Sequence, residues 1–222
     1  MQMIAEEIKK IHAMLPDGVE LCAVSKFHPA SAIKEAYDAG QRIFGESRVQ
    51  ELVEKIKVLP ADIKWHFIGH LQTNKVRQLI GQVSLIESVD SVRLLDLIDK
   101  ESEKSGVITN VLMQLHVARE ETKFGFYPEE LLEYFSCREF EKLKATHICG
   151  VMGMASNTDD MTRVRADFNT IADTRMRILD IAPDLRGFDI VSMGMSGDWK
   201  IAVEEGSNLV RIGTAIFGDR QY

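Results

Sequence analysis

The chain has 222 residues, 45% hydrophobic and 27% charged, the proportions of an ordinary globular protein long enough to bury a core without disulfides. Its 27 basic and 34 acidic side chains leave a net charge of −7, and its longest basic cluster is Lys9-Lys10, which argues against nucleic acid or a membrane surface as partner. No apolar run approaches the roughly 20 residues of a bilayer span, and Glu6, Glu7, Lys9 and Lys10 interrupt what would otherwise read as a signal-peptide core.

Ile4, Ile8, Ile11 and Leu15 recur at helical spacing, which predicts an amphipathic N-terminal helix docked on the core. Residues 21–26 form the first strand signal. A helical pattern over residues 31–40 follows, with Ser31 as a candidate N-cap and Gly40 as a candidate C′ residue. Residues 42–45 are a second strand, and Val49, Leu52, Val53 and Ile56 mark a helix stopped near Pro60. Strands at residues 63–69, 84–89 and 110–117 alternate with helices at residues 74–80, from Asp90 or Ser91 to Gly106, and from Pro128 onward. A sixth strand at residues 146–152 precedes a long helix over residues 158–179. A seventh strand at residues 188–193 precedes a helix over residues 198–205 closed by Gly206, and residues 208–217 form the eighth strand.

Eight strands alternating with helices predict right-handed βαβ units on a parallel sheet. Eight units in this length predict one (β/α)8 barrel domain over residues 1–222, with an extra N-terminal helix. The structural rival is an open doubly wound sheet, which would carry a Gly-rich first turn. The first strand here ends in Val24-Ser25-Lys26-Phe27 instead. Cys22, Cys137 and Cys149, odd in number and far apart, are expected to be free thiols of a reducing cytosol.

The reactive groups of such a barrel gather at the C-terminal ends of its strands. Those positions hold Lys26, Glu46, Ser47, His70, Asp90, His116, Met152, residues 192–196 and residues 211–214. Lys26 closes an apolar run, so its amine would be partly desolvated at the mouth. Desolvation lowers an amine's pKa and frees it as a nucleophile toward a carbonyl; the alternative is a lysine snorkelling out at a strand end. The turn Ser192-Met193-Gly194-Met195-Ser196-Gly197-Asp198 and the segment Arg211-Ile212-Gly213-Thr214 fall in the two loops where this architecture holds phosphate. Each alone would also serve as plain helix capping.

A lysine that can form a Schiff base, on one rim with a phosphate cradle, suggests pyridoxal 5′-phosphate. Arg211 refines this: an arginine beside the pyridine nitrogen cannot accept its proton, so the ring would be poorly activated as an electron sink. A metal centre is not expected. His66 and His70 on one strand would lie about 13 Å apart, and the spacing completes no cysteine or carboxylate cluster. Met152, Met154, Met193 and Met195 read as barrel lining.

The sequence resembles the pyridoxal phosphate homeostasis proteins over nearly its whole length. The matching segments are Ala23-Val24-Ser25-Lys26, Phe44-Gly45-Glu46, Trp65-His66-Phe67-Ile68-Gly69-His70-Leu71-Gln72-Thr73-Asn74-Lys75, the 192–198 turn, and Arg211-Ile212-Gly213-Thr214-Ala215-Ile216-Phe217-Gly218. The resemblance implies a single barrel like the N-terminal domain of bacterial alanine racemase, fold type III among enzymes using this cofactor. It implies pyridoxal 5′-phosphate held as a Schiff base on Lys26, with Arg211 facing the pyridine nitrogen. Ser196 and the backbone of Gly213 and Thr214 would take the phosphate. It further implies a role in intracellular vitamin B6 balance without established catalysis, and apo-enzymes as recipients of the cofactor. Ser47 stands where the family usually has Asn, and His116 departs from the usual strand-five pattern; both are expected to face the pocket as cofactor-binding residues, His116 either stacking on the pyridine ring or standing as a satisfied polar residue at the mouth. Other readings remain open: an amino-acid racemase, for which Tyr37, Tyr127, Tyr134 and Tyr222 lie in no matching motif, a Schiff-base aldolase, or an interaction protein sensing the cofactor. A monomer is expected, because the racemase's second domain and its dimer interface have no counterpart.

Overall fold

The computed structural model describes residues 4–118 and 124–218. Eight parallel strands close into a barrel in chain order: β1 (Glu20–Val24), β2 (Ile43–Glu46), β3 (Lys64–Phe67), β4 (Leu85–Val89), β5 (Thr109–Leu115), β6 (Thr146–Gly153), β7 (Ile190–Ser192) and β8 (Leu209–Ile212). The ring closes where Cys22 of β1 pairs with Arg211 of β8 and Ala23 with Ile212. The helices are α1 (Ile4–Met14), α2 (Ala30–Asp38), α3 (Val49–Ile56), α4 (Val76–Leu79), α5 (Val92–Ser105), α6 (Pro128–Ser136), α7 (Met161–Ile181), α8 (Trp199–Glu204) and α9 (Thr214–Phe217). The expected (β/α)8 barrel is therefore present. So is the N-terminal helix, which buries Ile8 and Ile11 and packs on α2 and α9.

Strand pleating sends alternate side chains to opposite faces, so the barrel has two apolar layers. Phe44, Trp65, Phe67, Ile86 and Val111 point outward into the main core under the helices. Cys22, Ile43, Leu85, Leu112, Cys149, Met152 and Leu209 form a separate, smaller cluster, the filling of the barrel itself. A bulge on β6 explains an irregular pair in that set. Val111 pairs with Ile148, but Leu112 pairs with Gly150, so Cys149 is skipped. Cys149 and Met152, three residues apart, consequently share the interior. Gly150 supplies the required backbone at φ +150°, and a Cβ there would lie 1.9 Å from the Ile190 carbonyl oxygen.

Several boundaries differ from the sequence reading. The cap of α2 is Pro29, not Ser31, because its φ of −69° and extended ψ of 159° lead directly into the helix. Gly40 does take the positive φ expected after α2. Ser91 caps α5 through Leu94 N–H, and Gly106 ends it in the left-handed conformation, as expected. α7 starts at Met161, after 158, because the Asp160 carboxylate caps Thr162 and Arg163. The run 208–217 is not one strand: pairing with β1 ends at Ile212, Gly213 turns the chain, and residues from Thr214 are helical.

Candidate functional site

Cys22, Val24 and Lys26 lie two residues apart, as do Leu209, Arg211 and Gly213, so each set leads from the barrel filling toward the mouth. Val24, Lys26, Arg211, Gly213, Thr214, Ser196 and Gly197 line one cavity of about 250 Å³, with Ile68, Met152, Met154, Met195 and His28 completing its wall. Five residues singled out in the sequence, Lys26, Ser196, Arg211, Gly213 and Thr214, are thus brought together from the turn after β1, the loop after β7, β8 and the start of α9. Lys26 is half-buried there.

The floor of this cavity is an ionic network. Arg211, almost fully buried, donates through Nη2 to the Gly153 carbonyl at 2.9 Å and through Nη1 to the Ser192 hydroxyl. Ser192 donates in turn to Glu87 Oε2 at 2.5 Å, and Glu87 Oε1 is bonded to His66 Nδ1 at 2.7 Å. Burial alone would push the Glu87 carboxyl up. The His66 hydrogen bond, the nearby charges of His66 and Arg211, and the Ser192 hydroxyl outweigh it and hold the group below the ordinary carboxylate range. Arg211 is thereby held in place by Ser192 and the Gly153 carbonyl, with its charge matched by Glu87 at 3.6 Å.

At the loop side, the Gly213 N–H donates to Ser196 Oγ at 3.3 Å. A Cβ on Gly197 would meet nothing within 4 Å, so this glycine leaves open space at the cavity wall. An amine, a guanidinium, a hydroxyl and backbone N–H groups around one small space form a donor set for an anionic ligand that also carries a carbonyl carbon. That chemistry fits pyridoxal 5′-phosphate.

Ser47 and His116 do not line this cavity. Ser47 borders a groove with Arg48, Gln72 and Lys75, and its buried hydroxyl lacks a protein partner. His116 packs edge-on against Tyr127, with ring centroids 5.2 Å apart, beside a small void. Met154 separates the two spaces and lines both. Tyr37, Tyr127 and Tyr134 are absent from the cavity wall among the described residues; Tyr222 lies outside the described residues.

Sequence reasoning missed His28, Glu87 and the carbonyl of Gly153, and it placed Ser192 in the 192–198 turn without its link to Glu87 and Arg211. Glu87 offered a signal, being an acid in the middle of a strand whose every residue is buried. The fold also gathers Cys22, His66 and Glu87, with one ligating atom of each within 4.8 Å of the others, a cluster that linear spacing concealed. His66 Nδ1 and both Glu87 oxygens are already engaged, with each other, with Ser192 and with the Arg211 charge. Of the four methionines read as lining, Met152, Met154 and Met195 reach the cavity, while Met193 faces the outer core.

Residues 1–221 match the family model of the alanine racemase N-terminal domain. A pyridoxal phosphate homeostasis protein of Aquifex aeolicus is 39% identical over 206 residues, covering 91% of this chain and 88% of that one. The structure of PipY from Synechococcus elongatus with pyridoxal phosphate bound superposes with a TM-score of 0.88 at 36% identity, covering 97% of this chain and all of the other. An alanine racemase of Clostridium difficile shares the fold, with a TM-score of 0.79 at 16% identity, over 57% of its own length.

Proposed function

Because this chain belongs to the pyridoxal phosphate homeostasis proteins, within the alanine racemase N-terminal-domain family, we propose that it binds pyridoxal 5′-phosphate and serves in the cell's balance of that cofactor. The observation that carries this reading is the convergence of Lys26, Arg211, Ser196, Gly213 and Thr214 on one cavity. When bound, the cofactor would supply an aldehyde, and Lys26 would hold it through its amine. Ser196 and the amides near Gly213 would hold the phosphate. Arg211 would face the pyridine nitrogen as a donor that can take up no proton.

Arg211 supports storage and delivery over turnover. Its guanidinium is anchored on Ser192 and Gly153 beside Glu87, and a permanently cationic donor cannot take the part of the carboxylate that keeps a pyridinium protonated. None of the described tyrosines lines the cavity as a second base. Apo-enzymes that use the cofactor are the proposed recipients, the cytoplasm the proposed location and a monomer the proposed state. The free thiols Cys22, Cys137 and Cys149 are consistent with a reducing compartment. No helix of the described residues is long and apolar enough to cross a membrane.

The test is an absorption spectrum of the purified protein with and without added cofactor, followed by borohydride reduction and peptide mapping. A lysine-linked band fixed on Lys26, and lost in Lys26→Ala, supports the reading. A label scattered over surface lysines, or unchanged binding by Lys26→Ala, would overturn it.

A further inference from the structure

The turn that carries Lys26 is held by side chains outside the cavity. β1 ends at Val24, and Ser25 N–H still donates to the Gly45 carbonyl at 3.0 Å. Phe27 then takes φ +68°, a left-handed conformation costly for a bulky residue. His28 N–H closes the turn on the Ser25 carbonyl at 3.1 Å. A conformation of this kind persists only where its surroundings over-determine it.

Those surroundings are two residues of α3, one helical turn apart. Lys55 Nζ donates to the Ser25 carbonyl at 2.9 Å, to Glu46 Oε1 at 2.7 Å and to Glu51 Oε1 at 2.6 Å, which uses all three ammonium protons. The same Glu51 oxygen accepts from Phe27 N–H at 2.7 Å. The peptide carbonyl before Lys26 and the peptide N–H after it are thus gripped by one partly buried ion pair. The Phe27 ring lies under the Arg48 guanidinium at 4.5 Å, and His28 stacks on Phe217 at 5.0 Å. None of Glu46, Glu51 and Lys55 lines the Lys26 cavity.

We propose that Glu51 and Lys55 are positioning residues for Lys26: their ion pair clamps the backbone on both sides of it and aims its amine at the carbonyl of the ligand. This inference rests on the reading of Lys26 as the covalent attachment point. A misdirected amine would leave anion binding by Ser196 and Gly213 in place while reducing attachment, because effective molarity depends on alignment.

The test uses Glu51, whose side chain is 22% exposed, so that its variants fold. Lys55 is left intact, since its removal would strand the buried Glu46 carboxylate. Glu51→Leu removes the acceptor; Glu51→Gln keeps a neutral one. After mixing with saturating pyridoxal 5′-phosphate, the rate and final extent of the lysine-linked absorbance and of the borohydride-fixed label on Lys26 are measured. Hydrogen exchange of the 25–28 segment is measured on unloaded protein. The expected result is a roughly tenfold slower attachment in Glu51→Leu, with faster exchange of the Phe27 amide, and recovery to within about threefold in Glu51→Gln. A general loss of stability would shift the melting temperature without this rescue. Wild-type rate and linked fraction in Glu51→Leu would overturn the clamp while leaving the site intact. Failure of wild-type protein to carry label on Lys26 would overturn the site reading, and the clamp's purpose with it.

Discussion

The Arg211 guanidinium lies 3.6 Å from the Glu87 carboxylate beneath the cavity that Lys26 lines, with the Ser192 hydroxyl bonded to both. Both charges are buried, so each depends on the other for compensation. Removing one partner of such a pair costs more than the pair contributes, because the survivor is left uncompensated. Glu87→Gln and Arg211→Met should each lower unfolding free energy by about 3 kcal/mol. The double variant should lose less than their sum by about 1 kcal/mol or more, the signature of contacting residues. Urea denaturation of the four proteins measures this. Additive losses would show that the two side chains act independently.

Acid should expose the same network. Glu87 titrates below its ordinary value of 4.5 in the folded protein. A carboxyl lowered by folding contributes its stability in full above the unfolded pKa and loses it as pH falls through the folded one. Glu46 works in the opposite sense, since burial raises it despite Lys55 and Ser25; its cost is present at neutral pH and eases on acidification. The difference between wild type and Glu87→Gln isolates the first effect. Their stability gap should be steady from pH 7 to about 5 and narrow below roughly pH 4.5. A gap independent of pH would exclude an ionised Glu87 in the fold.

Two glycines should separate folding from binding. At Gly150 a Cβ would collide with the Ile190 carbonyl at 1.9 Å, at φ +150°, so Gly150→Ala should cost on the order of 3 kcal/mol or more. At Gly197 the added methyl meets nothing within 4 Å. Gly197→Ala should therefore keep stability within about 0.5 kcal/mol and, by occupying the cavity wall, weaken pyridoxal 5′-phosphate binding about fivefold. Thermal melts with cofactor titrations read both quantities.

The thiols should respond according to burial. Cys137 is exposed, while Cys22 and Cys149 are buried. Burial is the main cause that pushes both buried thiols up, Cys22 further than Cys149, so neither offers thiolate at neutral pH. A colorimetric thiol reagent should react rapidly with one group per native chain and with all three after denaturation. Rapid reaction of two or more in native protein would contradict the packed barrel interior.

The barrel was legible in the sequence because alternating strand and helix periods survive in linear order. The same holds for Lys26, Ser196, Arg211, Gly213 and Thr214, which sit at strand ends where the architecture concentrates chemistry. Helix caps were less legible. Pro29 and Asp160 displaced the expected starts because several nearby residues can cap and the packing of the helix selects among them.

Periodicity is local and reads directly from the chain: which segments pleat, which coil, and which polar residues interrupt an apolar run at its end. Which distant side chains share a space depends on the closed fold. Glu87 meets Ser192 across 105 residues of chain, and the β6 bulge alone puts Cys149 and Met152 on the same side. Lys55 reaches the Ser25 carbonyl from a helix 30 residues later. Ser47 and His116 fall outside the cavity although both follow strand ends. Closure of the barrel accounts for this: its register decides which strand ends converge, and local pattern carries no record of that register.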